Sequence, residues 1–274
     1  MHIETLYTVI DDFLKILDHK DDPKVKLSDS EVILTYVISF EAYSGNYSKT
    51  LDYLFQGKHI KYKLSKSRFS RRLNRLKDII IQIFGFISEF AKNNCSIFQI
   101  DSFPVKVCHN IRISRCKLLK DEAFRGKNES KKEYFYGFKV QAITADNGYI
   151  VEFKFCPGSY HDSVAFDLMD FDLPENSELL ADKAYNAYYM EDILLETNKI
   201  NLLPVRKKNS KKPDNNVCVN FYRQTKRHII ETIFSLTDRL MPKKIHATNI
   251  QGFLLKITGF IFAYNLSLFL KIAT

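Results

Sequence analysis

Glycine is scarce in this chain, nine residues in 274, and none of it forms the rich loop after a strand that cradles a nucleotide phosphate. ATP dependence is therefore not expected. Cysteine is scarcer still. Cys95, Cys108, Cys116, Cys156 and Cys218 are odd in number and scattered, with no pair at the spacing of a zinc knuckle or a redox motif. They read as reduced thiols of a cytosolic protein. The segment from Met1 to Asp12 has no basic run and carries Glu4, Asp11 and Asp12, which is not the pattern of a secretory signal. The most apolar stretch, Phe253 to Ile272, is interrupted by Lys256, Asn265 and Lys271, leaving too short an uncharged run to span a bilayer. It reads as a buried helix, and no membrane partner is expected. Neither serine nor cysteine stands in a nucleophile constellation, and there is no repeat or low-complexity tract.

What is present supports a sizeable core: 45% of residues are hydrophobic and 14% aromatic. Lys and Arg outnumber Asp and Glu by 41 to 32, a formal charge of +9. That balance points to polyanionic partners, nucleic acid first and an anionic membrane surface second. A chain rich in Lys, Ile, Asn and Phe can also reflect AT-rich coding, so the clustering of charge carries more than its sum.

The chain reads as two parts. Residues 1–94 are helical. Leu6, Ile10, Phe13 and Leu17 recur at helical spacing, and Ser28-Asp29-Ser30-Glu31 is a capping-box pattern opening a run to Tyr43. A shorter helix is expected from Tyr47 to Phe55, and one long helix from about Ser65 to Lys92. Residues 95–274 change in texture. Ser96 to Ile100 is a short strand ending at Asp101. Tyr136–Thr144 and Tyr149–Phe155 are strand-like, joined by the turn signal Asp146-Asn147-Gly148. A helix from about Ser163 to Met169, a strand Glu178–Ala181, a helix Tyr188–Thr197, a strand Asn201–Val205 and two long final helices follow. Residues 112–132 and 206–216 read as exposed loops. This order predicts an α/β, RNase H-like catalytic domain with a mixed five-stranded sheet and flanking helices, preceded by a small all-helical domain.

Two-metal phosphodiester chemistry needs carboxylates from different elements gathered at one sheet edge. Mg²⁺ is a hard cation that keeps several waters, so three acids suffice for two ions sharing a bridging ligand. Asp101 ends the first strand, Asp182 follows the fourth, and Glu231 lies on a helix whose other face is apolar. Singly, each has an ordinary reading: a strand-to-turn aspartate, a surface pair with Lys183, and a helix pair with Arg227. Together, in that order on those elements, they favour a site.

Several stretches then carry a resemblance: Ile100-Asp-Ser-Phe-Pro-Val105, Tyr136-Gly-Phe-Lys139, Leu180-Ala-Asp-Lys-Ala-Tyr185, Leu203-Pro-Val-Arg-Lys-Lys208, Arg227-His-Ile-Ile-Glu-Thr-Ile-Phe-Ser235 and Phe262-Ala-Tyr-Asn-Leu266. In co-linear order over almost the whole chain, they resemble bacterial insertion-sequence transposases of the DDE class, and among them the insertion sequence 982 family. The resemblance implies that Asp101, Asp182 and Glu231 are the catalytic, metal-binding acids. It further implies two Mg²⁺ or Mn²⁺ ions, double-stranded DNA (terminal inverted repeats and target) as partner, and a homodimer or larger assembly on DNA. The cytoplasm of a bacterium, at the nucleoid, is the implied location. In the broader pattern around the glutamate, Arg227 and Glu231 match, while Gln224 and Asp238 stand where tyrosine and lysine are usual. Ala184 replaces a usual glycine.

Basic runs surround these acids. Arg68, Arg71, Arg72 and Arg75 fall on one side of the long helix, in a stretch from Lys58 to Lys77 without a single acid. A solvated face is the ordinary reading, and a grip on DNA phosphates explains the missing acids better. Residues 112–132 and the run Arg206, Lys207, Lys208 could hold DNA near the site or be solvated loops. Arg227, four residues before Glu231, should share its helix face and hold a phosphate or brace the glutamate. Asp162 after His161 reads as a helix N-cap.

Overall fold

The chain is described from a computed structural model, in which residues 3–128, 132–206 and 217–273 are described. Its contacts define two compact units, Met1–Ile87 with Arg239–Thr274, and Ser88–Asp238.

The first unit is helical. It holds α1 (Ile3–Ile16), α2 (Asp29–Ala42), α3 (Tyr47–Gln56), α4 (Lys66–Arg75), the start of α5 (Lys77–Asn93) and α9 (Ile250–Ala273). α2 is the centre, buried from Asp29 through Phe40, which suits a sequence apolar all round rather than on one stripe. Its capping box forms as the sequence predicts: Ser28 accepts from the Glu31 amide at 3.1 Å and Glu31 accepts from the Ser28 amide at 2.7 Å. α9 packs on α2. The Tyr36 hydroxyl donates to the Leu255 carbonyl at 2.6 Å, and the Phe40 and Phe260 rings meet edge-on at 4.6 Å. Gly259 permits this approach, since a Cβ there would lie 2.1 Å from the Phe40 ring. The final helix, expected with the sheet as part of residues 95–274, belongs to the helical unit, where its apolar surface packs on α2. It is long and apolar enough to cross a membrane, but most of it is buried in the unit. The expected single helix from Ser65 to Lys92 is two helices, broken at Leu76. The amide of Leu76 closes α4 by bonding to the carbonyls of Arg72 and Leu73, and its buried side chain holds the corner.

The second unit carries a six-stranded mixed sheet: β1 (Ile97–Cys108), β2 (Arg125–Asn128), β3 (Glu133–Ala145), β4 (Ile150–Pro157), β5 (Glu178–Ala181) and β6 (Asn201–Pro204). β3 pairs antiparallel with β1, β2 and β4, and β5 runs parallel between β1 and β6. α6 (Asp162–Phe166), α7 (Tyr188–Asn198) and α8 (Val217–Leu240, up to Asp238) complete the unit. The turn between β3 and β4 closes as expected, with Gly148 at φ 98°. The sixth strand, β2, falls within a segment read as loop. It pairs with the start of β3 at the position of Gly126, where a Cβ would meet the Gly158 carbonyl at 2.2 Å. β1 does not stop at Asp101 but continues to Cys108 on β3. Its parallel pairing to β5 ends at Ile100, so Pro104 lies where β1 is paired on one side only, a position a proline tolerates. The fold is α/β and RNase H-like, as the element order predicts.

Candidate active site

The acids are positioned by the ends of the parallel pairing. Ile100 lies opposite Ala181, so Asp101 and Asp182 are the next residues on two neighbouring parallel strands. Both are half-buried. Asp101 Oδ1 accepts from the Ser102 amide at 2.8 Å, and Asp182 caps a 3-10 turn, Lys183–Tyr185, accepting from the Lys183 amide at 2.6 Å. α8 lies along the face of β1 that bears Asp101. Gln99 Oε1 accepts from the Ile230 amide at 3.0 Å, and the rings of Phe103 and Phe234 are 4.7 Å apart. Residues 99, 101 and 103 share one face of a strand, so Asp101 points at α8 between the levels of Ile230 and Phe234. Glu231 is on that turn. Its carboxylate is exposed, 3.4 Å from His228 Nδ1, and the three acids do not form a closed group in this structure.

Behind the two aspartates, on the opposite face of β1, lies a polar network that the sequence reading missed. Asp162 is not the N-cap of α6; His161 holds that position without a side-chain bond. Asp162 Oδ1 instead accepts from Ser102 Oγ at 2.8 Å and from Lys139 Nζ at 3.0 Å, and Lys139 also donates to the Tyr160 carbonyl at 2.8 Å. Tyr185, fully buried, accepts from Gln141 Nε2 at 2.8 Å and is hydrogen bonded with Ser102. Burial above all, with the nearby charges of Asp162 and Asp101, pushes the Tyr185 phenol well above its ordinary pKa and keeps it protonated. Ser102 follows Asp101, and Tyr185 closes the turn that Asp182 opens. The network therefore ties together the two chain segments that carry the aspartates. Asp162 being polar just after His161 was the only local signal, and it has a commoner explanation as a cap.

The basic residues divide. Arg68, Arg71 and Arg75 are exposed on α4. With Lys24, Lys26 and Arg72 they line a cavity of about 370 Å³. Arg72 is turned inward, its guanidinium paired with Asp29 at the start of α2, and is a brace rather than a free cation. Arg206 is likewise internal. It makes a two-pronged pair with Glu191, 2.5 and 2.7 Å, bonds Asn186 at 3.1 Å and stacks on Tyr188. With Arg206 and Glu191 only 14% and 9% exposed, the expected DNA contact at Arg206 is replaced by a structural pair. Lys207, Lys208 and the side chain of Arg227 lie outside the described residues.

Asp101, Asp182 and Glu231 are carboxylates, hard oxygen donors of the kind that suits Mg²⁺ or Mn²⁺. A tighter acidic group exists elsewhere, His19, Asp21 and Asp29 in the helical unit, with ligand atoms within 4.8 Å of one another. Its atoms are already engaged. His19 Nε2 lies 2.9 Å from Asp29, Asp21 accepts from the Asp29 amide, and Arg72 holds the other Asp29 oxygen. Burial raises the Asp29 carboxyl, but Arg72 and His19 outweigh it and hold its pKa below the usual range. This group fastens α4 to the start of α2.

The RNase H-like sheet thus brings two aspartates to the end of one parallel strand pairing, with a glutamate-bearing helix alongside. Residues 91–247, more than half the chain, match the model of the transposase DDE domain family, and the chain belongs to that family. No curated protein and no solved structure matches it.

Proposed function

We propose that this protein is a DNA transposase of an insertion sequence, of the insertion sequence 982 type, acting in the bacterial cytoplasm as a homodimer or larger assembly. It binds the terminal inverted repeats, cleaves at them and joins the freed ends to target DNA. The observation that carries this reading is the adjacency of Asp101 and Asp182 at the end of the β1–β5 pairing, with Glu231 on the turn of α8 that lies over Asp101. These three residues would hold two Mg²⁺ or Mn²⁺ ions, which when bound supply activation of the attacking water or 3′ hydroxyl and stabilisation of the leaving 3′ oxygen. The chain itself contributes positioning and charge. Ser102 and Tyr185 fix the backbone beside the two aspartates, and the exposed arginines Arg68, Arg71 and Arg75 hold backbone phosphates. Arg227, one turn before Glu231, holds a phosphate beside the acids.

The test is substitution that changes charge with little change of shape. Asp101→Asn, Asp182→Asn and Glu231→Gln should each abolish Mg²⁺-dependent cleavage of a DNA end while DNA binding stays within about twofold, well under the tenfold that 1.4 kcal/mol would produce. Strand transfer of a precut end into a plasmid distinguishes a transposase from a nuclease on the same fold. Cleavage without any joining would leave the nuclease, and normal cleavage by the three variants would remove the acids from the site.

A further inference from the structure

We propose that a second basic cavity of the helical unit, formed by Lys49, Lys66, Lys244, His246 and Lys256, binds the backbone phosphates of DNA. The inference rests on the reading that the protein acts on DNA, and it adds a contact surface that the basic helix α4 does not account for.

The cavity, about 540 Å³, is assembled from distant parts of the sequence. Lys49 comes from α3 and Lys66 from the first residue of α4. Lys244 and His246 come from the segment before α9, and Lys256 from α9 itself. No Asp or Glu is among its lining residues. Elsewhere in the unit Lys15, Lys20 and Lys63 each lie beside an acid, Asp11, Asp18 and Asp52. No described ion pair reaches any of the cavity lysines. Converging like charges without counter-charge is destabilising in the free protein, and an arriving polyanion relieves it.

Lys256 makes the argument specific. It is partly withdrawn from water, and its ammonium has only the Gly45 carbonyl at 3.2 Å and the Tyr47 ring face at 5.1 Å. Burial first, and the neighbouring Lys66 second, lower its pKa from the ordinary lysine value. A cation so placed, with neutral partners alone, gains from an anion in the cavity. α3 also begins here, its N-cap Asn46 and first residue Tyr47 lining the wall, so its amide dipoles favour the same sign of ligand. Lys66 is the first residue of the helix that also carries Arg68 and Arg71, so one element bears cations toward two separate cavities.

The experiment uses the full chain and a labelled duplex of about 25 base pairs, titrated by fluorescence anisotropy between about 50 and 300 mM salt, where each phosphate contact adds roughly 0.9 to the slope of log affinity against log salt. Lys66→Gln with Lys244→Gln, both exposed and free of structural bonds, should lower that slope by about 1.8 and weaken binding several-fold at physiological salt. Thermal melting should show both variants folded. Lys15→Gln with Lys20→Gln removes the same charge elsewhere and should leave the slope within about 0.5 of the starting protein. An unchanged slope in the cavity variant, or an equal fall in the control, overturns the inference. Loss of binding on Arg68→Ala with none in the cavity variant overturns it while sparing the broader DNA reading; no duplex binding by the unaltered protein overturns both. Inorganic pyrophosphate supplies the remaining arm. If it occupies the cavity tightly and duplex DNA does not displace it, the site serves a small polyphosphate and the proposal fails.

Discussion

Removing the Asp162 carboxylate should unsettle the site from behind without touching DNA. Asp162 and Lys139 are 29% and 15% exposed, and their 3.0 Å pair is shared with the Ser102 hydroxyl at 2.8 Å. Asp162→Ala leaves the Lys139 ammonium with the Tyr160 carbonyl alone. Breaking a fully buried pair from one side costs about 3–5 kcal/mol; partial exposure of Asp162 brings the expected loss to about 2–3 kcal/mol. For a chain of this size that corresponds to a melting temperature lower by about 5–10 °C. Lys139→Met alone should cost less, since Asp162 keeps Ser102 and some water. The double variant should recover at least about 1 kcal/mol relative to the sum of the two, because neither charge is then left unpaired. Functionally, a loosened Ser102 frees the backbone of Asp101. Cleavage by Asp162→Ala should therefore fall about tenfold and need more Mg²⁺, since even small misplacement of reacting groups is costly, while duplex affinity is unchanged. Differential scanning calorimetry of the four proteins and a Mg²⁺ titration of cleavage supply the measurements. Strictly additive single-variant losses, with cleavage and its Mg²⁺ dependence unaltered, would refute the network as a support of the site.

Three further outcomes check the assignments made from the structure. Arg68→Ala should reduce the salt slope of DNA binding by about 0.9, whereas Arg72→Ala should lower the melting temperature first, since it strands Asp29 at the start of α2; equal slope losses with unchanged stability would return Arg72 to the DNA surface. Arg206→Ala should destabilise by about 3 kcal/mol with little effect on DNA affinity, because the buried Glu191 carboxylate would lose its two-pronged guanidinium partner, and a melting curve like that of the unaltered protein would contradict this. Burial pushes the Glu41 carboxyl up to about 7, and its Oε2 is buried without a partner. Its folded pKa is thus above its unfolded one, so stability is full below about pH 4.5 and falls as pH rises to about 7, by at most about 3 kcal/mol. Denaturant unfolding at pH 5 and pH 8 should show that loss, and Glu41→Gln should remove most of it.

What the sequence made legible, and what it hid, follows from the range of the interactions. The Ser28–Glu31 capping box and the Asp146–Gly148 turn are decided within four residues, and both form as read. Asp101 and Asp182 could be placed because each directly follows an apolar strand segment, so a parallel pairing of those segments brings them together. The break at Leu76 has no glycine or proline to announce it, and the burial of Leu76 fits a continuous helix as well as two. The fates of the arginines were hidden for a related reason. Arg72 and Arg206 look like members of a basic run, but their partners Asp29 and Glu191 lie 43 and 15 residues away. A carboxylate that satisfies a guanidinium through the fold cannot be seen by counting charges along the chain. The reverse holds for the cavity around Lys256. Lys49 and Lys244 look unremarkable in sequence, and become a concentrated positive site only because α9 returns to α2 and brings its preceding segment with it. Charge clustering in sequence is therefore only a partial guide to charge clustering in space: Arg68, Arg71 and Arg75 stay exposed together while Arg72 and Arg206 are paired internally, and the surfaces that contact DNA are better sought where folded cations lack carboxylates than where the chain is merely rich in them.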